Sequence, residues 1–376
     1  MGGAISVKPV SNKKELKKFI LFPWKIYRGA ARYENWVPPL LVDEKAQFNR
    51  EKNPFFEYAE MENYLAYKEG EIVGRISAII DKNFNRYHES KTGFFGFLEA
   101  VDDEAVAKAL LETAEGWVRA RTMNKIIGPI NPNTNHILGF HIDDYDHPPI
   151  IQMGYNPPYY INLCNKAGYG KEKDLFCYRM DQSLPISDKI RRVTEMVKKR
   201  EKITLSKIDL KEFQKIVETI RYIWNDAWSG NWGFVPWEKE EFEHLAKDLK
   251  LIIKPELVLL AEVDGEPAGF SLPIPDMNQV FIKMNGRLFP FGIFKLLAGK
   301  NKVDVIRIAA FGVLQKFRDK GIDAMFVYET YTRGVKLGLK GAEFSWILED
   351  NLDLINLLNN WGAWHYRTYR IFGKNL

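Results

Sequence analysis

The chain has 376 residues, 46% of them hydrophobic and 14% aromatic, with a formal net charge of +5 and two cysteines, Cys164 and Cys177. This length suits two globular domains. Two cysteines without a CxxC pair exclude a disulfide framework and a paired-cysteine metal site, and point to a reducing, cytoplasmic setting. No apolar run reaches the ~20 residues of a membrane span, and the basic residues are too scattered among helical patterns for a nucleic-acid surface.

Charge is balanced through Asp181, so the whole excess lies in the second half, where it favours an anionic ligand. The opening "MGGAIS" fits the myristoylation pattern, but Ile5–Val10 reads better as a first strand. Helical stretches rich in Trp and Tyr follow, then a polar turn at Glu69-Gly70 between apolar runs, the signature of a hairpin. The pattern next predicts a strand over Gly93–Leu98, a helix over Asp103–Met123, a strand over Lys125–Ile130, a short helix and a closing strand.

Between the last two strands of this half sits "GPINPNTNHILGFHIDDYDHPPIIQMGYNPPYY" (128–160), an unusually long loop or insertion. Asn131, Asn133, Asn135 and Tyr155 offer hydrogen bonds there and are read as a substrate lip. "HIDDYDH" (141–147) mixes metal-ligand residue types, but it lacks the spacing of a zinc helix or a calcium loop, and no metal is assigned.

The second half repeats the first. "NWVP" (35–38) returns as "NWGFVP" (231–236), "AYKEGEIVG" (66–74) as "AEVDGEPAG" (261–269), and "INLCNKAG" (161–168) as "INLLNNWG" (355–362), at offsets of 194–196 residues. Three anchors in one order at nearly one offset indicate homologous domains in tandem, 1–182 and 183–376, joined near "DQSLPISD" (181–188). The second half therefore predicts strands over Ile203–Ile208, Val305–Val313 and Ala342–Leu348, a hairpin turn at Asp264-Gly265, and a helix over Ile322–Leu337. A hairpin start with a strand–helix–strand–helix–strand finish predicts an α/β fold twice over: a mixed, mostly antiparallel sheet flanked by helices. The apolar "LFPFGIFKLLAG" (288–299) suits either a tunnel for a long acyl chain or packing between domains.

Chemistry is suggested by "RDKGIDA" (318–324), where a strand passes into a helix. Arg318 and Lys320 bring charge, Gly321 lets backbone approach an anion, and Ile322, Asp323 and Ala324 open the helix, where N–H groups bind phosphate. With the strand "IRIAAFGV" and the stretch "AEFSWILEDNLDLINLLNNWGA", this loop resembles the GNAT superfamily of N-acyltransferases, whose loop reads Arg/Gln-x-x-Gly-x-Gly/Ala. The whole chain resembles bacterial tandem GNAT-like proteins of this length. The resemblance implies acetyl-CoA or another acyl-CoA as acyl donor and a small-molecule amine as acceptor. Phe311 and Val313 would border the cofactor arm, the 318–324 loop would hold its diphosphate, and Asn351 matches an asparagine that contacts cofactor or substrate.

Two departures stand beside that resemblance. Asp323 puts a carboxylate where the diphosphate is expected, leaving open whether the loop binds CoA, caps its own helix, or turns that side chain outward. The family's usual acid, a tyrosine four residues before the terminal-helix glycine, is Leu358 before Gly362 and Cys164 before Gly168. Tyr366 or Tyr369 is the substitute acid, Tyr366 being carried forward, and Glu349 is the candidate base. In the first half, Glu99, Asp102, Asp103 and Glu104 occupy the matching place and disfavour a diphosphate. The readings are thus an acyl-CoA-dependent N-acyltransferase, a non-catalytic protein that keeps the fold for binding or interaction, and a transferase of long acyl chains. The number of subunits is not legible.

Overall fold

A computed structural model describes residues 3–183, 186, 188–200 and 202–376. Met1 and Gly2 of the myristoylation pattern, and part of the 181–188 junction, lie outside the described residues. The chain divides into two compact units: Met1–Leu175 with Val280–Leu296 and Arg367–Leu376, and Phe176–Gln279 with Leu297–Tyr366.

The first unit begins with β1 (Ile5–Pro9) and α1 (Lys13–Tyr27), the helix started by the Asn12 side chain, which accepts from the N–H groups of Lys14 and Glu15. Two short helices, α2 (Leu41–Gln47) and α3 (Phe55–Tyr58), lead into the hairpin of β2 (Ala59–Lys68) and β3 (Glu71–Asp81). Glu69 and Gly70 between them both take positive φ, 53° and 85°, the backbone that a two-residue hairpin turn demands. After α4 (Lys82–Tyr87), β4 (Thr92–Ala100), α5 (Glu104–Arg119) and β5 (Lys125–Gly128) form a parallel crossover. Helix α5 stops short of the expected Met123, because Thr122 turns left-handed (φ 65°) and Met123 N–H folds back to the Val118 carbonyl. Strand β5 ends at Gly128 because Pro129 has no N–H to continue the ladder.

The insertion supplies β6 (Ile130–Asn131), β7 (Ile137–Leu138) and β8 (Phe140–His141), before α6 (Tyr159–Lys166) and β9 (Gly170–Asp181). Residues from the far end of the chain complete this unit: Phe372 pairs with Gly128 and Asn375 with Lys125, antiparallel. Its main core lies between the sheet and α5, around Ile76, Phe95, Leu110 and Phe372.

The second unit runs through α7 (Asp188–Arg200), β10 (Ile203–Lys207), α8 (Phe213–Ala227), α9 (Lys239–Leu249), β11 (Leu259–Val263) and β12 (Glu266–Pro275). Asp264 and Gly265 repeat the hairpin turn, with φ of 50° and 84°. After α10 (Asn278–Phe281) and α11 (Gly292–Gly299), which lie largely in the stretch belonging to the first unit, come β13 (Val305–Val313), α12 (Ile322–Lys336), β14 (Gly341–Leu348), α13 (Leu352–Asn360) and β15 (Trp364–Asn375), whose residues from Arg367 onward belong to the first unit. The sheet order is β14-β13-β12-β11-β10, antiparallel except for β13 and β14.

Its two faces carry different cores. Ile306, Ile308 and Phe344 pack toward α12 and α13 with Val327 and Leu358, whereas Phe270, Ala310 and Leu314 pack toward α8 and α9 with Ile220 and Trp237. The mixed, mostly antiparallel α/β architecture expected from the repeat is the one observed.

Candidate active site

Strands β13 and β14 pair from Val305 opposite Gly341 to Ile308 opposite Phe344 and then part, although each continues for four or five residues. The cause lies one strand away. Pro273 opposes Ile308 and Leu272 opposes Ala310, so Ala309 has no opposite number and β13 bulges there. A bulge bends its strand and re-aims the residues beyond it. The result is a wedge with Ala309–Val313 on one side and Ser345–Leu348 on the other, and the β13 edge can receive an extended ligand as an added strand would be received.

At the apex, four polar side chains meet on the face away from α12. Because residues alternate along a strand, Arg307, Glu343 and Ser345 point opposite to Ile306, Ile308 and Phe344. All three are buried. Arg307 Nε donates to Ser345 Oγ at 3.1 Å, Arg307 Nη2 donates to the Ser345 carbonyl at 3.2 Å, and Ser345 Oγ donates to Glu343 Oε1 at 2.8 Å. The second carboxylate oxygen, Oε2, accepts from the Tyr366 hydroxyl. Cations lie over two aromatic rings, Arg307 5.1 Å from the centre of Trp346 and Arg179 4.9 Å from that of Tyr366. Tyr366 is therefore a hydroxyl whose proton is held by a buried carboxylate. Glu349, the other residue singled out for proton transfer, lies half-buried in the turn after β14.

On the opposite face an apolar cavity lies between the sheet and α12. It holds about 540 Å³ of space, open solvent at its mouth included, and Ile306, Ile308, Phe311, Val327, Thr330 and Phe344 are among its lining residues. Phe311, on the wedge side of β13, contributes to the wall, whereas Val313 packs with Ile322, Met325 and Phe326.

The loop entering α12 keeps its backbone cradle. Gly321 is the N-cap in left-handed conformation (φ 75°), and no side chain caps the helix. Asp323 sits half-buried in the first turn beside Ala324, where its charge suits the helix dipole, and Ile322 enters the core. Arg318 Nη2 donates to the Ala227 carbonyl at 2.7 Å, and Asp226 Oδ2 accepts from Gln315 N–H at 2.7 Å, so α8 holds the loop in place. Lys320 is half-buried in the turn. Asn351 caps α13, accepting from Leu354 N–H at 3.3 Å.

The first unit has the same bulge and closes it with its own chain. Strands β4 and β5 pair as far as Phe94 and Ile127, and β4 bulges at Phe97, which takes a positive φ of 51°. Asn131 fills the opening: its Oδ1 accepts from Phe97 N–H at 2.5 Å, and a Cβ on Gly96 would lie 2.2 Å from the Ile130 carbonyl oxygen. Glu99 is not at an open helix start. It lies half-buried between the hydroxyls of Tyr27 and Tyr160, each donating at 2.7 Å, and desolvation raises its pKa. Asp103 caps α5 and pairs with Lys68 at 2.7 Å, and Glu104 pairs with Lys166.

Asn133 is buried, donating to the Tyr58 hydroxyl at 2.9 Å and accepting from Asn135 N–H at 3.0 Å, while Tyr155 packs its ring against Tyr27 and His141. In "HIDDYDH", Asp143 accepts from Thr368 N–H at 2.6 Å and Asp144 pairs with Arg367 at 2.8 Å, so these acids clasp the C-terminal segment. The sequence-selected residues accordingly fall into two groups, Asn131, Asn133, Asn135 and Tyr155 in the first unit and the rest in the second.

Among curated proteins, the bacterial ceramide synthase of Caulobacter vibrioides is 36% identical over 99% of this chain and 98% of its own length. Protein YghO of Escherichia coli is 33% identical over 98% of this chain and 95% of its own. This chain belongs to their family. Among solved structures, this chain superposes along 99% of its length on 98% of a tandem GNAT protein from the clavulanic acid biosynthesis pathway, with a TM-score of 0.55 and 11% identity. It also superposes on a fungal glucosamine N-acetyltransferase region with a TM-score of 0.59 and 16% identity, spanning 38% of that longer chain. Both likenesses are of fold. No known family profile matches the sequence.

The Arg307–Ser345–Glu343 cluster is the part of this candidate site that the sequence motifs do not announce. A signal for it exists: a charged residue at the centre of "VIRIAAF", and Glu and Ser two apart in "GAEFSWIL", sit where a buried strand should be apolar.

Proposed function

We propose that the second unit is an acyl-CoA-dependent N-acyltransferase that joins a long acyl chain to the amine of a long-chain amino alcohol, giving a ceramide-type product. The observation that carries this reading is the apolar cavity under α12, with Phe311 of the wedge strand in its wall. Its lining is almost wholly apolar, as an acyl tail requires. Near full-length identity of 36% to a bacterial ceramide synthase supports the same substrate class.

The residues fit acyl-CoA in charge and shape at most points. Gly321 and the uncapped N–H groups of Ile322, Asp323 and Ala324 suit a diphosphate, with Arg318 and Lys320 alongside. The β13 edge from Ala310 to Val313, with Phe311 and Val313, offers amide partners to an extended arm. Asn351 fixes the start of α13 beside β14. Acyl-CoA supplies an activated thioester when bound. With acyl-CoA bound, Glu349 would take a proton from the incoming amine, directly or through water, and Tyr366 would release its hydrogen bond to Glu343 and give its hydroxyl proton to the departing thiolate. In the first unit Asn131 and Asn133 bind their own chain, and Tyr155 is retained as the ligand contact.

Asp323 favours the rival reading of a non-catalytic binding protein, because a carboxylate in the first turn opposes a phosphate. The deciding experiment incubates the protein with palmitoyl-CoA or acetyl-CoA and sphinganine, measuring CoA release and the amide by mass spectrometry. N-palmitoyl product is expected. Absence of amide with both donors, together with no CoA binding by calorimetry, overturns the enzyme reading.

A further inference from the structure

Among the described residues, the most exposed aromatic side chains stand together in sequence. Phe289, Phe291 and Phe294 are 71%, 73% and 67% exposed. Scattered exposed apolar residues need no account, but three phenylalanines in six residues do.

The segment is held firmly. Trp24 Nε1 donates to Asn285 Oδ1 at 3.0 Å, Leu41 N–H donates to the Gly286 carbonyl at 2.8 Å, Ile293 N–H donates to the Leu288 carbonyl at 2.6 Å, and Lys295 Nζ donates to the Lys283 carbonyl at 2.6 Å. Gly286 is left-handed (φ 69°), and a Cβ there would lie 2.5 Å from both the Pro39 carbonyl oxygen and the Trp24 ring. The rings are thus presented on a braced turn.

Charge identifies what covers them. Between Asp276 and Asp304 the chain has Lys283, Arg287, Lys295, Lys300 and Lys302 and no acidic residue. Lys283, Arg287 and Lys295, which flank the rings, are exposed and form no ion pair among the described residues. Apolar rings among uncompensated cations match the boundary between acyl chains and anionic headgroups; a protein groove offers no general reason for a wholly one-signed rim. No helix of the described residues is long and apolar enough to cross a membrane, and surface docking requires none.

We propose that residues 283–295 dock the protein on an anionic lipid bilayer, with Phe289, Phe291 and Phe294 entering the interface and Lys283, Arg287 and Lys295 meeting the headgroups. This inference stands apart from the proposed catalysis, because its readout is binding.

The test is co-sedimentation of the full chain with phosphatidylcholine vesicles that contain or lack phosphatidylglycerol, at low and high salt. Wild type is expected to pellet with the anionic vesicles and to be released by salt. Phe289→Ser/Phe291→Ser/Phe294→Ser is expected to weaken partitioning at least about tenfold, and Lys283→Glu/Arg287→Glu/Lys295→Glu to abolish the preference for phosphatidylglycerol. All six side chains are exposed, and unchanged thermal melting will show that the variants fold. Wild type remaining in the supernatant with both vesicles overturns the proposal, as does a serine variant that binds like wild type. A wild-type dimer in solution that the serine variant dissociates, without vesicle binding, overturns it in favour of a second copy as the occupant.

Discussion

Tyr366 donates its hydroxyl to Glu343, and Ser345 donates to the other oxygen of the same carboxylate, so one buried acid is shared by two hydroxyl donors. Removing the phenol oxygen leaves Glu343 short of a partner while keeping the ring beneath Arg179. Loss of a hydrogen bond to a charged group costs about 1–3 kcal/mol. Tyr366→Phe is therefore expected to lower stability by that amount in urea unfolding. If the hydroxyl also serves as the acid, turnover falls by about 10²–10⁴ with acyl-CoA affinity by calorimetry unchanged. A variant as active as wild type removes Tyr366 from the chemistry and leaves it a structural partner of Glu343.

The helix start at Gly321 makes opposite predictions for two neighbours. Gly321→Ala forces an L-residue into a left-handed conformation, at about 1–2 kcal/mol, with its Cβ 3.2 Å from Val197 Cγ1. It should lower both stability and CoA affinity. Asp323→Asn removes a charge whose repulsion of a phosphate at about 4 Å would be ~4 kcal/mol at an effective dielectric near 20. Solvent reaches this half-buried site, so tightening of at least about tenfold is expected in calorimetric titration. Unchanged affinity would mean that the carboxylate faces away from the ligand.

Much of the fold is legible in the sequence, and the reasons are local. The two turns Glu69-Gly70 and Asp264-Gly265 announce their hairpins, and β13 spans Val305–Val313 as its apolar pattern predicts. The wedge is less legible, because the bulge at Ala309 is a property of register with β12; the one hint is Pro273, a residue that cannot donate to a ladder. The Tyr366–Glu343 bond joins residues 23 apart on different strands, which no spacing rule reveals. The insertion misleads in a specific way. Its asparagines look like ligand groups, yet Asn131 answers the bulged backbone N–H of Phe97, a buried donor that must be satisfied from somewhere.

His141 makes the first unit sensitive to acid. It is fully buried, its Nε2 lies 3.0 Å from the Asn156 carbonyl oxygen, and burial, with Arg367 nearby, pushes its pKa down from 6.5 to about 3. The unfolded chain therefore binds a proton that the folded chain refuses. Stability from this residue is complete above about pH 6.5 and drains away as pH falls toward 3, by up to ~5 kcal/mol. Asp81, pushed up to about 6 by burial, acts in the reverse sense, losing stability as pH rises through 6. Comparing urea unfolding of wild type and His141→Gln at pH 7 and pH 4.5 isolates the histidine. The variant should lose less stability on acidification; an equal loss refutes the assignment.

The cavity under α12 predicts chain-length selection. Ala342 lines it from β14, at a position where a larger side chain projects into the same space as Ile306 and Phe344. Ala342→Leu adds three carbons there. If an acyl tail occupies the cavity, the variant excludes about that many of its methylenes, each worth about 0.8 kcal/mol when buried. Palmitoyl transfer should then fall roughly 50- to 100-fold in kcat/KM, while a donor shorter by four carbons keeps most of its rate. Overpacking an already full core would instead cost about 1–3 kcal/mol of stability and slow every donor alike. Chain-length profiles measured beside thermal unfolding separate the two outcomes: a shifted profile at unchanged stability places the tail under α12, and a uniform loss with lowered melting means that the acyl chain lies elsewhere.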